Sequence, residues 1–377
     1  MPKIDLYDIT FTNQDDIVPL SGKAIITNNL PFIVNTLAGN DIINADNEII
    51  DSDNFYYPGA YPNRVAFYNE GTLNTAEGND SITGIVSQNT DYAWDHYGIW
   101  NEPGNYLRPG RIDTGDGNDT ITGIIQAGIV GNGIGNKNGS IDTGDGKDTI
   151  IGVSQTRIGI KDENGSINTG NGQDVIRGTG LYQGIWLFSN SVLDTGKGKD
   201  IITGIGIWGL YNSSTTFNTG DGDDIITGIG TDTRINGGIY GIGIENLGLI
   251  DTGEGDDTIT GTLTAEGYGI INRGTINTGN GKDSIIADGG FDGTGSVSLG
   301  DGKDYLKGFG SGNFNGGNGK DTLELTLGTY TIGVSGTGVN FIKGSITMKT
   351  SEFEELIAGS TTYNFASLTN GQTIFVA

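Results

Sequence analysis

The sequence predicts an all-β fold: a parallel, right-handed β-solenoid, three-sided, with coils of about 26 residues. Three observations predict it. A glycine-rich motif, IDTGDGNDTITG at 112–123, returns ten more times along the chain, and self-similarity of this kind sets the architecture before any other signal. Between successive motifs lie three short runs rich in β-branched residues, each bounded by Gly or Asn, which is strand-and-turn punctuation. No 3.6-residue hydrophobic period persists long enough for a helix. Units too small to bury a core alone share one by stacking, at about 4.8 Å per coil.

Taken in order, residues 1–33 read as N-terminal cap or edge strands, IDLYDITF and KAIITNNL around a turn at Pro19–Gly22. Residues 34–325 are the repeat region. Two aromatic, Pro-containing excursions interrupt it early, at 45–64 and 86–109. From 110 onward the unit settles, and the piece after each motif places Ile121, Ile150, Ile176, Ile202, Ile226, Ile259 and Ile285 in one inward row. A Gly-Ile step marks the third strand, as in Gly98-Ile99, Gly159-Ile160, Gly184-Ile185 and Gly269-Ile270. Motif spacing shrinks at the last copies, from Asp283 to Asp304 and from Asp304 to Asp321. Residues 326–377 lose the motif and read as the strands of a C-terminal β cap.

One Asp recurs at the same place in every copy: Asp41, Asp80, Asp119, Asp148, Asp174, Asp200, Asp224, Asp257, Asp283, Asp304 and Asp321. Stacking would set these carboxylates in file about one coil apart. At an effective dielectric near 20, each adjacent pair of charges then costs about 3 kcal/mol. The carboxylates must turn into water or share a cation. The glycines before them (Gly115 and Gly117, Gly144 and Gly146, Gly170 and Gly172, Gly220 and Gly222, Gly253 and Gly255, Gly279 and Gly281) let the backbone curl so that carbonyl oxygens face one side. Carboxylates with carbonyls make a hard, flexible cage that suits Ca²⁺ over Mg²⁺ or zinc. The expectation is about one Ca²⁺ per gap between adjacent repeats, Asp119 and Asp148 sharing one ion and Asp148 and Asp174 the next. Asp41 and Asp80 sit in poorer turns, where Leu37-Ala38 and Ala76 replace motif residues. The alternative is that Gly and Asp serve only as turn formers. Lys147, Lys199, Lys282, Lys303 and Lys320, one residue before the Asp, are expected to point into solvent. The rank Asn35, Asn74, Asp113, Asp142, Asn168, Asp194 is expected to serve structural hydrogen bonding.

Composition agrees. The formal net charge of −26 and the absence of Cys argue against nucleic acid and anionic membranes, and for cations as the staple of a secreted chain. No apolar run reaches membrane-spanning length, and the N-terminal stretch does not read as a signal peptide. Among catalytic motifs, neither H-E-x-x-H nor G-x-S-x-G occurs, and the only histidine is His96. The cluster Tyr92-Ala93-Trp94-Asp95-His96 is only faintly like an epimerase site. Trp100, Trp186 and Trp208, near the third strand, read as packing or as a sugar platform. The chain is therefore expected not to be an enzyme.

The motif resembles the nonapeptide of the RTX (repeats-in-toxin) family, G-G-x-G-x-D-x-U-x, where U is a large apolar residue. Gly115, Gly117, Asp119 and Ile121 fall on its Gly, Gly, Asp and U, with Thr114 in place of the first Gly. The family runs its nonapeptides back to back, whereas here most stand alone in longer coils. The resemblance implies calcium-driven folding, an RTX-like β-roll towards the C-terminal end, and export by a type I-like route. It also implies a C-terminal secretion signal, for which Glu352-Phe353-Glu354-Glu355-Leu356-Ile357 and the final apolar residues are the candidates. The expected function is a calcium-binding structural protein of the bacterial surface or extracellular matrix, assembling head-to-tail through its end coils. The rival is a solenoid that binds or modifies an extracellular polysaccharide.

Overall fold

A computed structural model of the protein describes residues 3–19, 24–28, 33–49, 65–89, 96–103, 110–231, 241–264, 266–336 and 338–377. The chain divides into two compact units, 1–197 with 202–206, and 198–201 with 207–377. Both are parallel β-solenoids, as the repeat predicts.

In the first unit each coil contributes one strand to each of three parallel sheets. Arg111–Asp113, Thr120–Ile125 and Gly131–Lys137 make up one coil. The next coil repeats them as Ser140–Asp142, Thr149–Ser154 and Ile158–Glu163. Register is exact in motif terms: Ile112 opposes Ile141, Ile121 opposes Ile150 and then Ile176, and Ile134 opposes Ile160. The strand Thr120–Ile125 alternates half-buried and buried residues, the period-2 signature of one face turned to a core. All seven isoleucines of the expected inward row are fully buried.

The repeated glycines within strands have a separate reason. A Cβ on Gly123 would lie 2.3 Å from the carbonyl oxygen of Gly133, on the opposing sheet. The two walls approach so closely that no side chain fits between them there.

The N-terminal stretch does more than cap. Lys3–Asp5 pairs in parallel with Ile25–Asn28, and Ile17–Val18 pairs with Ile42–Ile49. It is thus a first coil without the motif, followed directly by the next. Most of the expected excursion 45–64, residues 90–95 and 104–109 of the second, and the far side of the Pro19–Gly22 turn lie outside the described residues.

The second unit keeps the same register. Ile226 opposes Ile259, which opposes Ile285, and Ile244 opposes Ile270. It then tapers. Phe291–Asp292 is the last strand of the third sheet, and the short coil that follows adds no strand to it, meeting it through an isolated Phe291–Gly310 bridge and the bond from Ser311 Oγ to Asp292 Oδ1. The shortening of the repeat thus narrows the coil from three sides towards two.

The C-terminal cap is antiparallel. Ile346–Ser351 and Glu355–Ala358 continue the two remaining sheets in parallel. Gly338–Lys343, Gly328–Ser335 and Thr373–Val376 then add in antiparallel fashion to the first of these, and Thr361–Asn364 to the second. The segment expected as a secretion signal is folded into this cap, with Phe353 and Leu356 buried.

Candidate metal centre

Each motif turn joins two sheets, and its backbone is stitched to the next coil. Thr114 N–H donates to Asp142 O at 3.0 Å and Gly117 N–H to Asp145 O at 2.9 Å. In the second unit Asn280 N–H donates to Gly253 O at 3.1 Å. Gly115, Gly144, Gly170, Gly220, Gly253 and Gly279 hold φ near +80°, a conformation that favours glycine. Gly117 is required by proximity instead: its Cβ would fall 1.4 Å from Gly78 O of the preceding coil. The turn carbonyls thus accept hydrogen bonds along the stack, rather than converging freely on a common point as the sequence reading expects. Each keeps a second lone pair.

The motif aspartates are buried inside these turns. Their relative exposure is 2 % or less at every copy from Asp41 to Asp321. They do not turn into water. Within each unit Oδ1 accepts the backbone N–H of the motif Asp one coil earlier. Asp41 N donates to Asp80 at 2.7 Å, Asp80 N to Asp119 at 2.7 Å, Asp119 N to Asp148 at 2.8 Å and Asp148 N to Asp174 at 2.8 Å. In the second unit the series runs from Asp200 through Asp224, Asp257, Asp283 and Asp304 to Asp321, at 2.8–2.9 Å. This is a role that the sequence reading missed: one carboxylate oxygen per coil is committed to holding the neighbouring backbone.

The other oxygen is the chemically interesting one. Oδ2 is buried and receives no hydrogen bond of normal geometry at Asp80, Asp119, Asp148, Asp224, Asp257, Asp283, Asp304 and Asp321. In several coils the hydroxyl of the motif Thr lies beside the carboxyl, such as Thr114 beside Asp119 and Thr252 beside Asp257. In the first motif Thr36 donates to Asp41 Oδ2. Elsewhere the hydroxyl is also drawn along the stack, as in Thr252 Oγ1 to Thr278 O at 3.3 Å.

Burial raises the pKa of these carboxyls, because desolvation disfavours the charged form. Asp119 and Asp257 are pushed up to about 7. Asp80, Asp148, Asp224, Asp283, Asp304 and Asp321 are pushed up to about 6, and Asp41 is raised as well. Neighbouring acidic residues add to the rise; the Thr hydroxyl and the backbone N–H oppose it.

A buried carboxylate oxygen without a donor calls for a proton or a cation. The donor set here is entirely oxygen: carboxylate, Thr hydroxyl and Gly carbonyl. That set fits a hard divalent ion. Among the described residues no three acidic or His side chains converge on one point. Carbonyls, hydroxyls or water would therefore have to complete any coordination shell.

Two residues outside the motif close the ladder. At its start Asp16 N donates to Asp41 Oδ1 at 2.9 Å. At its end Asp321 N donates to Glu354 Oε2 at 2.7 Å, and Thr322 opposes Glu355 in register. Glu354 thus takes the place of the next motif Asp. The signal was present in Glu354-Glu355-Leu356-Ile357, a degenerate copy of Asp-x-U-x.

The second corner of the coil carries a ladder that sequence reasoning did not name. Asn28 Nδ2 donates to Asn69, Asn69 to Asn101, Asn101 to Asn136 and Asn136 to Asp162, at 2.7–2.8 Å. In the second unit Asn212 donates to Asn246 at 2.8 Å and Asn246 to Asn272 at 3.0 Å. The sequence cue is the N-x-G of Asn69-Glu70-Gly71, Asn246-Leu247-Gly248 and Asn272-Arg273-Gly274.

The remaining expectations divide. Lys147, Lys199, Lys282, Lys303 and Lys320 are all exposed. The polar rank beside the motif makes structural bonds, with Asn168 Nδ2 on Asp142 at 3.1 Å and Arg111 bridging Asp113 and Asp142. Trp100 is buried against Tyr97, with ring centroids 4.0 Å apart, so it offers no open sugar platform. Trp186 is half-buried under Lys161 Nζ, 5.3 Å from the ring. His96 is buried within a strand, and Tyr92, Ala93, Trp94 and Asp95 lie outside the described residues.

Comparison with protein-family models finds no match, and neither does comparison with curated proteins. Among solved structures the chain is similar to the X-ray crystal structure of a hyperactive, Ca²⁺-dependent, beta-helical antifreeze protein from an Antarctic bacterium. The identity is 18 %, the match covers 98 % of this chain and 95 % of that one, and the TM-score is 0.48.

Proposed function

We propose that this protein is a secreted, calcium-binding structural protein of the bacterial cell surface or extracellular matrix, not an enzyme, and that Ca²⁺ completes its fold. The observation that carries this reading is the set of buried Oδ2 atoms that take no hydrogen bond of normal geometry, at Asp80, Asp119, Asp148, Asp224, Asp257, Asp283, Asp304 and Asp321. A hydrogen-bond ladder alone needs only Oδ1. The second oxygen, buried and in most coils beside a Thr hydroxyl, is spare capacity suited to a cation. Asp80 through Asp321 would hold the ions, with Asp41 the weakest member, and Glu354 would close the last gap. A net charge of −26 makes the ion-free chain self-repelling. Such a chain is loosened at its aspartate corner where calcium is scarce and completes its fold where it is plentiful, which suits export before folding is complete.

Circular dichroism with calcium titrated into chelated protein tests this. A cooperative gain of strand signal, with the ion count from calorimetry tracking the number of gaps, is expected. A chain fully folded in chelator and indifferent to calcium would leave the carboxyls as protonated turn pieces and remove the proposal. Head-to-tail assembly belongs to the same proposal, because strands at solenoid ends present unpaired N–H and C=O groups. Light scattering with and without residues 1–33 tests it; strictly monomeric full-length protein at high concentration would exclude it.

A further inference from the structure

The asparagine file of the first unit ends on a carboxyl. Asn69, Asn101 and Asn136 each donate through Nδ2 to the next side chain of the file, to the carbonyl of a nearby Gly and to a carbonyl one coil on. For Asn136 these acceptors are Asp162 Oδ1 at 2.7 Å, Gly139 O at 3.2 Å and Ser166 O at 3.1 Å. Asp162 stands opposite Asn136 in register. Its Oδ1 takes the place of an amide oxygen: a Cβ on Gly165 would fall 2.4 Å from Asp162 Oδ1, as one on Gly139 would fall 2.6 Å from Asn136 Oδ1. Oδ2 is therefore where the amide nitrogen would be. It is buried and takes no hydrogen bond.

The repeat sets what Oδ2 faces. Gly165 repeats Gly139, and Val192 is the register partner of Ser166, so the carbonyls that an amide would serve here are Gly165 O and Val192 O. Leu187, fully buried, follows Asp162 in register and offers neither donor nor acceptor. Ser191 Oγ lies beside the carboxyl but donates to Asp162 O at 2.9 Å and to Phe188 O at 2.7 Å. No charged side chain faces the group from the elements packed on it. On its own strand Lys161 and Glu163 pair with each other at 2.7 Å. Lys137 of the preceding coil lies opposite Glu163, and Gln183–Phe188 of the following coil carries no charge. Across the corner, Asp142 and Asp194 lie at the far ends of Ser140–Asp142 and Val192–Asp194, where Asp142 is bonded to Arg111 and Asn168, and Asp194 to Gly196 N–H. A buried oxygen among carbonyls, with no cation beside it, is favourable only if it carries a hydrogen.

We propose that Asp162 is held as the neutral acid, its Oδ2–H donating to the carbonyls that an amide serves elsewhere in the file, and that its ionisation loosens this coil: a pH-sensitive latch in the seam, independent of calcium. Burial pushes the carboxyl up to about 7, from an ordinary 3.8. The latch is therefore fully closed below about pH 4, weakens as pH rises to about 7, and changes no further above that. Its opening is local, confined to the strands and turns that Asp162 ties together.

Hydrogen exchange read at residues 158–166 and 187–192 tests this, from pH 5 to pH 9, in calcium and in chelator, for the unaltered chain and for Asp162→Asn. The variant keeps the acceptor for Asn136 and supplies the missing donor. It leaves the motif aspartates in place, so the ratio of protection between the two proteins cancels their titration. That ratio should fall about tenfold or more between pH 5 and pH 7 and then level, equally in calcium and in chelator. Asp162→Ala is a second reference, with lower protection throughout and the same fall in the ratio. Infrared difference spectra between the unaltered chain and either variant should show a protonated carboxyl at pH 5 and a carboxylate at pH 9. A ratio that ignores pH, or a carboxylate already at pH 5, would overturn the proposal. So would a pH response that calcium abolishes, which would make Asp162 a cation ligand. If the whole fold ignores calcium while this ratio still falls, the calcium reading goes and the latch remains.

Discussion

One corner of the coils buries a file of aspartates, and another buries, in each unit, a run of asparagines; both are hydrogen-bonded along the stack. The asparagine file is self-sufficient. Asn69 donates through Nδ2 to Asn101, Gly71 O and Arg111 O, and accepts at Oδ1 from Asn28. An amide carries donors and an acceptor, so identical amides can satisfy one another head to tail. An ionised carboxylate is acceptor-only. The aspartate file therefore draws one N–H per coil from the backbone; Thr36 donates to Oδ2 of Asp41, but at eight of the other copies Oδ2 takes no hydrogen bond of normal geometry. The two files thus differ in kind: inside the neutral one each amide satisfies the next, whereas the charged one keeps oxygens open to a ligand. Asp162 shows the rule from the other side. It ends the asparagine file in the first unit as an acceptor, and burial pushes its carboxyl up to about 7.

The largest expected effect is the removal of calcium. It should destabilise the aspartate corner and leave the asparagine corner's own bonds intact. A site populated at a hundred times its dissociation constant contributes about 2.7 kcal/mol, and several such sites in one cooperative stack should shift the melting temperature by well over about 10 °C. Thermal melts with calcium and with chelator measure this directly. Hydrogen exchange should show motif-turn amides opening first in chelator; uniform opening would erase the contrast between the corners.

The next effect is that of pH, and its sign is unusual. The folded-state pKa of the motif carboxyls lies above the unfolded value of 3.8, at about 6 to 7. Protonation is therefore favoured by folding. In chelator, stability is fully present below about pH 4 and is lost as pH rises through 6 to 7. In calcium, protons compete with the ion for the same oxygens. The gap in melting temperature between the two conditions should narrow steadily from pH 8 to pH 5. A gap that widens on acidification would contradict the assignment of these carboxyls as the ligands.

Much of this fold is legible in the sequence because the motif repeats in phase. The row from Ile121 to Ile285, the three strands per coil and the late narrowing all follow from counting residues between copies. What stayed hidden did so for physical reasons. An Asn at a turn is ordinary turn chemistry, and only stacking reveals that Asn212, Asn246 and Asn272 face one another. Glu354 closes the aspartate file with one methylene more than Asp, in a stretch where no glycines announce the turn. The first coil, which starts at Lys3 and ends before the first motif copy, is recognisable only by the sheets that it joins. The role of Oδ1 was hidden because a repeated Asp reads as a charge to be neutralised, and its backbone partner lies a whole coil away.

Breaking the neutral file should cost less than removing calcium and should ignore calcium altogether. Asn246→Ala removes the acceptor of Asn212 Nδ2 and the donor to Asn272 Oδ1. Each buried group left unpaired costs about 1–3 kcal/mol, so a loss of a few kcal/mol is expected, equal in chelator and calcium by denaturant melts. A loss that calcium repairs would mean that the two corners are not independent.

The smallest effect is also the sharpest comparison, because it turns one corner into the other. Asp148→Asn keeps an Oδ1 to accept Asp119 N–H and places an amide where the unpaired oxygen was. Thr143, whose hydroxyl lies against that carboxyl, can accept from it. In chelator the variant should be within about 1 kcal/mol of the unaltered chain or slightly more stable, since a buried charge has been replaced by a group that can donate. In calcium it should fall behind, and calorimetry should count fewer ions. Asp148→Ala loses the acceptor as well and should be the less stable of the two in both conditions, by about 1–3 kcal/mol. Asp41→Ala should cost less than Asp148→Ala, because Asp41 lies at the weak end of the file in a turn where Leu37 holds φ +72° without a glycine. If Asp148→Asn bound as much calcium as the unaltered chain, Oδ2 would not be a ligand. The aspartate file would then be what the asparagine file already is, a hydrogen-bonded seam.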